Sequence, residues 1–333
     1  MKLSTVEQVQ ERVGKLPAPR DLKVIDYLDE HAARYLSLAQ VGFLVFGESG
    51  RIQLTAAGAE PGFAGPDGEQ TLQIPLTALD DSAAAEPGLS FGGLFLVSGM
   101  EETLRVNGRV SSVADGLLTV AVEECYLHCA KAFRRSSFWL PESVQASPSE
   151  IPGFVAQSRF LALATINREG QADVSPKGDP ENFLIQEGEG AVCFADRPGN
   201  RRIDSFRNII DQPEIAILAL VPGCTDLLEI KGRAELCADA ELLRRFAIEG
   251  KEPKLITRIA SPTLRLVLSP AMARAGLWPA QEVPGDIVPS EIFKAHIKKS
   301  KESSLKAKIA RAAVSLPGAM EKGLESDYKN NLY

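Results

Sequence analysis

The sequence predicts a mainly β protein with flanking helices, an α+β chain made of two tandem six-stranded antiparallel barrels. Two observations lead to this prediction. Short apolar runs are separated by turn dipeptides, which is typical of antiparallel barrels. The same series of runs then occurs a second time, which indicates a duplicated domain. A chain of 333 residues is long enough to give each copy its own core.

Composition and charge narrow the class of protein. With 44% hydrophobic and 24% charged residues, the chain is typical of soluble globular proteins. Its net charge of -7 argues against general nucleic-acid binding. No apolar run approaches the roughly 20 residues of a membrane span, and the first residues lack the apolar segment of a signal peptide. We therefore expect a cytoplasmic protein that is not bound to a membrane.

The five cysteines do not predict a metal site. Cys125 and Cys129 flank His128, but no second Cys/His pair follows at metal-finger spacing. An odd number of cysteines also gives no complete disulfide framework. We therefore predict no bound metal.

The first copy is expected to begin with helices and continue as strands. Residues 1–40 have apolar residues at helical spacing, interrupted by Pro17 and Pro19. Six apolar runs follow, with turns at Ser49-Gly50 and Asp115-Gly116. They are VGFLVFG, RIQLT, TLQIPL, GGLFLVSG, TLRVNGRVSSV and LLTVAVEEC.

The second copy repeats this pattern, and the order of segments predicts the domain boundaries. Its apolar runs are FLALATI, QADVS, AVCFA, EIAILALVPG, DLLEIKGRAEL and LRLVLS, with a helical insertion over 238–250. The predicted units are a first barrel with a helical lead-in over 1–140, a linker over 141–152, a second barrel over 153–285, and a Lys-rich helical tail over 286–333. For the tail we favour a helix packed on the barrels or a solvated extension, with a membrane or partner helix as the alternative.

The duplication can be followed residue by residue. Residues 93–110 align without gaps on residues 217–234, with Gly99 opposite Gly223 and Gly108 opposite Gly232. Further downstream, Trp139 corresponds to Trp278. Matching blocks in the same order make chance agreement an unlikely explanation.

Two cationic turns of the second copy form a candidate phosphate site. One runs from Ser175 to Gly178 and contains Lys177, and the other is Arg197-Pro-Gly-Asn-Arg-Arg202. Arginine forks match phosphate oxygens, and glycine allows the backbone to approach closely. The alternative is a pair of solvated basic turns, since surface cations are mostly unpaired or weakly paired.

The two copies have kept different polar residues. Lys177, Arg197, Asn200 and Arg201 correspond to Ala57, Thr77, Asp80 and Asp81 in the first copy. Conversely, Arg105, Lys131 and Arg134 correspond to Glu229, Pro270 and Ala273, whereas Arg135 corresponds to Arg274. If the copies pack about a pseudo-two-fold axis, one site receives both sets and the other receives neither. We therefore predict one ligand per chain, with independent drift of surface residues as the alternative.

These motifs resemble a known family. SPKGDPENF, DRPGNRRIDSFRNI, the LVPG strand, ETLRVNGR and YLHCAKAFRRSSFW are similar to motifs of the FMN-binding split barrels related to pyridoxamine 5'-phosphate oxidase. The resemblance covers about residues 35–280. It implies a six-stranded split β-barrel, normally a homodimer with FMN in two interface sites. Here both barrels lie in one chain, which implies a pseudo-dimer that is a monomer or a homodimer of such chains.

The resemblance also implies roles for individual residues. Ser175, Lys177, Arg197, Asn200 and Arg201 would hold the FMN phosphate and ribityl chain. The residues that would close over the phosphate or the flavin ring from the other barrel are Arg105, Lys131, Arg134 and Arg135.

Catalytic residues are not identified by this resemblance. His128 is a weak candidate for a proton donor, with a structural role as the alternative. The arginine-and-histidine substrate motif of the vitamin-B6 oxidase is not found after Trp278.

The leading functional hypothesis is an FMN-dependent oxidoreductase acting on a small molecule, with NAD(P)H as one candidate electron donor. A non-catalytic flavin carrier or sensor is the first alternative. The second is the same barrel holding a deazaflavin or haem.

Overall fold

The protein consists of two antiparallel β-sheets that pack against each other and carry short helices at their edges. The structure is a computed structural model and describes residues 1–17, 22–302, 304–314, 323, 325–328 and 332–333. The strands of the first sheet are β2 (Val41–Glu48), β3 (Arg51–Gly58), β4 (Gly65–Pro66), β5 (Thr71–Pro75), β6 (Ser90–Leu96), β7 (Thr103–Ala114) and β8 (Leu117–His128). Those of the second are β1 (Lys2–Leu3), β9 (Phe160–Ile166), β10 (Ala172–Gly178), β11 (Gln186–Gly188), β12 (Ala191–Ala195), β13 (Glu214–Leu220), β14 (Leu227–Cys237) and β15 (Ile256–Val267).

Short helices connect and flank the strands. They are α1 (Val6–Val13), α2 (Glu30–Leu36), α3 (Lys131–Ser136), α4 (Ile151–Gln157), α5 (Asp204–Asp211), α6 (Ala240–Arg245), α7 (Pro270–Ala275), α8 (Pro289–Lys299) and α9 (Leu305–Val314). In the part of the chain that the structure describes, none of them is long and apolar enough to cross a membrane.

The two sheets have the same strand order. The first runs β3-β2-β6-β7-β8-β5-β4 and the second β10-β9-β13-β14-β15-β12-β11, with β1 added beside β14. Without the strands of two or three residues (β1, β4 and β11), six strands remain in each sheet. Each path has two free ends, so neither sheet closes into a complete barrel. The predicted fold class, two tandem six-stranded split barrels with flanking helices, is confirmed.

The central strands are apolar on both faces because both faces are buried. In β2, Leu44 and Phe46 point into the core of the first sheet, whereas Phe43 and Val45 point to the second half. Strand β9 does the same with alternating residues. Successive side chains of a strand point to opposite faces, so one face fills the barrel and the other forms the contact between halves. The runs VGFLVF and FLALATI are continuous for this reason.

Segments near both ends of the chain pack on the half that is more distant in sequence. Strand β1 pairs with β14, and Val9 of α1 is buried in the core of the second half. Helix α1 therefore packs on the second half, whereas α2 buries Ala32, Tyr35 and Leu36 in the core of the first. At the other end, Ile287 and Ile292 pack into the core of the first half. The tail region that the structure describes thus contains a helix packed on a barrel, as favoured from the sequence.

Candidate ligand site between the two halves

A cavity of about 430 Å³ lies between the two halves. The first half contributes the end of β8 and helix α3, and the second contributes the end of β10, the 196–203 loop and α5. Seven of the nine residues predicted to bind a cofactor line it: Lys131, Arg135, Ser175, Lys177, Arg197, Asn200 and Arg201. The structure therefore brings together residues from both copies, as the comparison of the repeats predicts.

The cavity wall is strongly cationic although the chain as a whole is acidic. Eight lysines and arginines line it, against three aspartates, whereas the net charge of the chain is -7. Like charges gathered around a small cavity repel one another unless an anion is present among them. The cavity is therefore suited to an anionic ligand.

A close backbone approach joins β10 to α3 at the cavity. A Cβ atom at Gly178 would collide with the carbonyl oxygen of Ala132. Only glycine allows the two segments to come this close. The approach brings the Lys177 strand end beside Lys131 and Arg135, which lie on either side of Ala132 in sequence.

The cations of the second half are anchored by carboxylates but keep unused hydrogen-bond donors. Lys177 Nζ lies 3.2 Å from Asp196 Oδ1. The buried Arg197 donates from Nε to Asp179 Oδ2 at 2.7 Å, while its Nη2 has no hydrogen-bond partner among the described residues. Asn200 Nδ2 is buried without a partner in the same part of the chain. Since a buried donor without a partner is costly, both groups are placed to bind a ligand.

The cations of the first half have contacts that hold them at the cavity wall. Arg135 donates from Nε to the Gly178 carbonyl at 3.0 Å and from Nη1 to the Pro198 carbonyl at 3.0 Å. Lys131 Nζ lies 3.0 Å from Asp327 Oδ2, which comes from the tail. Arg135 thus ties both cationic turns of the second half to the first half.

Arg105, which the resemblance implies as a ligand contact, lies behind the cavity and does not line it. It is 1% exposed and forms an ion pair with Asp173. Its Nη2 donates to the Val174 carbonyl at 2.6 Å and to Ser175 Oγ at 3.0 Å. Burial and the carboxylate partner leave the guanidinium no path to the ligand. Arg105 instead positions Ser175, which does line the cavity.

Behind Ser175 lies a small hydroxyl network. Ser175 Oγ donates to Asp173 Oδ2 at 2.8 Å, and Ser205 Oγ lies 2.7 Å from Ser175 Oγ. Ser175 and Ser205 both line the cavity, whereas Asp173 does not. Because Asp173 can accept from either hydroxyl, one of them is able to turn toward a ligand while the other keeps the carboxylate paired.

Arg134, the other predicted ligand contact from the first half, does not line the cavity either. Its Nε lies 2.6 Å from Glu101 Oε2, and the guanidinium stacks on Tyr328 at 4.4 Å. Residues three and four apart lie on one face of a helix, so Lys131, Arg134 and Arg135 start from the same side of α3. The contacts with Glu101 and Tyr328, and not the helix geometry, hold the Arg134 side chain away from the cavity wall.

His128, the candidate proton donor, is part of the cavity wall. Its deep location lowers the pKa of the imidazole well below its usual value, and the nearby charges of Arg105, Lys23 and Arg202 lower it further. His128 is therefore neutral at pH 7. A neutral imidazole here can donate or accept one hydrogen bond but is a poor source of a proton.

Sequence reasoning missed three cavity residues of interest. Ser205 lies within the DRPGNRRIDSFRN motif, and the motif itself was the signal that could have identified it. Arg12 and Lys254 come from segments far away in sequence, and no local pattern distinguishes them from other surface cations. Only the crossing of the chain's first residues onto the second half brings Arg12 to the cavity.

In the first half, the position equivalent to Asn200 is occupied by a carboxylate. Asp80, the counterpart of Asn200, accepts hydrogen bonds from Ser269 Oγ and from the Ala271 backbone N–H, the latter at 2.8 Å. Burial raises the pKa of Asp80, and these hydrogen bonds oppose the rise. Asp80 thus places a carboxylate at the first turn of α7, and the counterpart of that helix, α3, begins at Lys131.

The fold and the cavity define a class of protein: a duplicated split barrel with an electropositive ligand cavity between its halves. Residues 147–275 match the family model described as "Pyridoxamine 5'-phosphate oxidase". This match over the second half of the chain confirms the resemblance seen in its motifs. Among curated proteins, none matches the chain significantly.

Solved structures with a similar fold cover about one third of the chain. General Stress Protein 26 from Bacillus anthracis is 17% identical over 34% of this chain and 88% of that one, with a TM-score of 0.27. A protein titled "F420 Reductase" is 19% identical over 36% of this chain and 98% of that one, with a TM-score of 0.27. HupZ from Group A Streptococcus is 18% identical over 33% and 86%, again with a TM-score of 0.27.

Proposed function

We propose that this chain binds one FMN in the cavity between its halves and acts as an FMN-dependent oxidoreductase on a small molecule. The observation that carries the proposal is the composite cationic cavity, in which buried donors of Arg197 and Asn200 lack partners among the described residues. The family match over residues 147–275 adds support for a flavin-type ligand.

The residues present fit a phosphate-bearing flavin. The cavity of about 430 Å³ is within the range of about 300–1,000 Å³ that accommodates a cofactor-sized ligand. Asp80 provides a second argument, because a carboxylate occupies the pseudo-equivalent position and accepts hydrogen bonds from the opposite half. In the open site, a ligand phosphate near Lys131 and Asn200 would supply the negative charge that Asp80 supplies on the other side.

Each group has a specific part in this proposal. Lys131, Lys177, Arg197 and Arg201 supply charge for the phosphate, since charge-assisted hydrogen bonds are about twice as strong as neutral ones. Ser175 and Ser205 offer hydroxyls to the polar chain of the ligand. Flavin supplies the hydride chemistry when bound, and the protein supplies placement and charge near the ring.

An absorbance spectrum of the purified protein tests the proposal directly. We expect flavin bands, with one FMN released per chain on denaturation. Anaerobic addition of NADPH should bleach these bands, and re-oxidation by an acceptor should restore them. Flavin bands without bleaching by any donor would indicate a carrier or sensor, and deazaflavin or haem bands would indicate another cofactor. A protein that binds none of these would contradict the proposal.

Three further expectations stay predictions from the sequence. They are a cytoplasmic location, NAD(P)H as electron donor, and an assembly that is either the single pseudo-dimeric chain or a homodimer of it. Solution mass distinguishes the two assemblies.

A further inference from the structure

Two cations, Arg12 and Lys254, line the cavity in addition to the residues assigned to the flavin. Arg12 lies in the last turn of α1, and Lys254 precedes β15; both line the cavity. Arg12 Nη1 donates to the Lys254 backbone carbonyl at 3.3 Å, which fixes the two residues side by side. Arg12 and Lys254 are 242 positions apart in the sequence, and the fold brings them into contact.

Arg201 adjoins this pair and connects it to the inner site. A Cβ atom at Gly14 would lie 3.4 Å from the Arg201 guanidinium carbon, so the segment after α1 packs against this arginine. Arg12, Arg201 and Lys254 have no ion-pair partner within the described ranges, in contrast to Lys177 and Arg197. Three cations are thus gathered at one opening without a protein carboxylate to balance them.

From this arrangement, and resting on the proposed function, we infer that Arg12 and Lys254 form a second anion-binding subsite for a phosphate-bearing co-substrate of the flavin. Arg12 is half-buried and Lys254 is exposed, so these two cations lie on the solvent side of the cavity, where a second molecule can reach them. Unbalanced positive charge at an opening attracts an anionic ligand and raises its association rate. The subsite therefore selects co-substrates that carry phosphate over neutral ones of similar size.

Binding of adenosine 2',5'-bisphosphate to the FMN-loaded protein, measured by calorimetry, tests this inference without relying on turnover. We expect Arg12→Gln/Lys254→Gln to weaken its affinity at least about tenfold, as loss of charged hydrogen bonds predicts. The affinity for FMN should fall by a smaller factor than the affinity for the bisphosphate. Lys15→Gln is the matched control, because Lys15 is an exposed cation three residues after Arg12 and does not line the cavity.

The possible outcomes separate the two proposals. If the wild-type chain binds no FMN, the proposed function fails. If FMN binds but the bisphosphate does not, or binds equally to the double variant, the second subsite is wrong. A loss of FMN affinity in the double variant equal to the loss of bisphosphate affinity would also overturn it, because Arg12 and Lys254 would then belong to the flavin site. Repeating the titration with inorganic pyrophosphate shows whether phosphate alone is sufficient for recognition.

Discussion

Arg135 and Arg274 make the same hydrogen bonds on opposite sides of the molecule. Arg135 donates to the carbonyls of Gly178 and Pro198, both at 3.0 Å. Arg274 donates to the carbonyls of Gly58 at 3.2 Å and Ala78 at 3.0 Å. Gly58 and Ala78 are the counterparts of Gly178 and Pro198, at one constant offset along the sequence. The two halves therefore contact each other through equivalent hydrogen bonds on both sides, whereas the residues that face the ligand cavity differ between the copies.

The matching contacts of Arg135 and Arg274 show which positions of the two copies are structurally equivalent. The two arginines hold their neighbouring turns in the same way, so positions next to them can be compared directly. On one side these positions are Lys131 and Asn200, and on the other Pro270 and Asp80. One site is thus left open and cationic, and its counterpart contains an internal carboxylate.

Replacing Arg197 should release the flavin, and replacing its counterpart should not. Arg197→Ala removes a buried guanidinium at the cavity wall, so we expect at least about tenfold weaker FMN binding. Thr77→Ala is the matched control. The pair Lys131→Ala and Pro270→Ala should behave in the same way. The measurement is bound FMN per chain after gel filtration, and equal losses from both sets would contradict a single composite site.

Replacing Asp80 should lower stability without changing the flavin content. Asp80→Ala leaves Ser269 and the Ala271 N–H without their acceptor, which should cost about 1–2 kcal/mol of unfolding free energy. Asp80→Asn keeps an acceptor oxygen and should cost less. Urea unfolding measures the first effect, and flavin content the second. A drop in FMN per chain in folded Asp80→Ala would show that the two sites are not independent.

Replacing Arg105 tests its assignment as a positioning residue. Arg105→Met leaves the buried Asp173 without its cation, and breaking a buried pair costs about 3–5 kcal/mol. Adding Asp173→Asn should recover part of this loss, because the uncompensated charge is removed. Equilibrium unfolding of the single and double variants measures both values. A double variant less stable than Arg105→Met would argue against the pairing.

Removing the carboxylate of Asp327 should strengthen anion binding. Asp327 lies 3.0 Å from Lys131 Nζ and competes with a ligand phosphate for this cation. Since partly exposed ion pairs contribute about 1 kcal/mol or less, we expect Asp327→Asn to lower the Kd for FMN by up to about fivefold. Glu325→Gln, an exposed acidic residue two positions earlier, is the control. Identical affinities in the two variants would exclude this competition.

Acid should destabilise the contact between α8 and the first half through Asp29. Burial raises the pKa of Asp29, but hydrogen bonds and charges from His296 and Lys299 outweigh this and hold the pKa well below its usual value. The folded-state pKa is thus lower than the unfolded value of about 3.9, so this contribution is present above about pH 4 and is lost as the pH falls further.

Asp29→Asn provides the test of this pH dependence. The amide can still cap α2, because its oxygen can accept from the Ala32 N–H, but it does not titrate. We expect the unfolding free energy of the variant to fall less steeply than that of the wild type below about pH 4. Urea unfolding between pH 7 and pH 3 makes the comparison. Parallel pH profiles would show that Asp29 does not contribute to acid unfolding.

The sequence alone determined the duplication, the β character and most of the cavity wall. These were accessible because strand periodicity, turn residues and an ungapped repeat are local patterns. The division of cations between the copies even indicated which residues would meet across the interface. Seven of the nine predicted site residues do line one cavity.

Only the tertiary structure decided which cations face the ligand and which segments complete the site. Arg105 and Arg134 belong to the same motifs as the lining residues, but Arg105 is buried beside Asp173, and Arg134 is held by Glu101 and Tyr328. Arg12 reaches the cavity because β1 pairs with β14 and α1 buries its apolar face in the second half. Such placements depend on packing between residues far apart in sequence. A local sequence pattern shows which residue types are present in a segment, but not which distant residues they will contact.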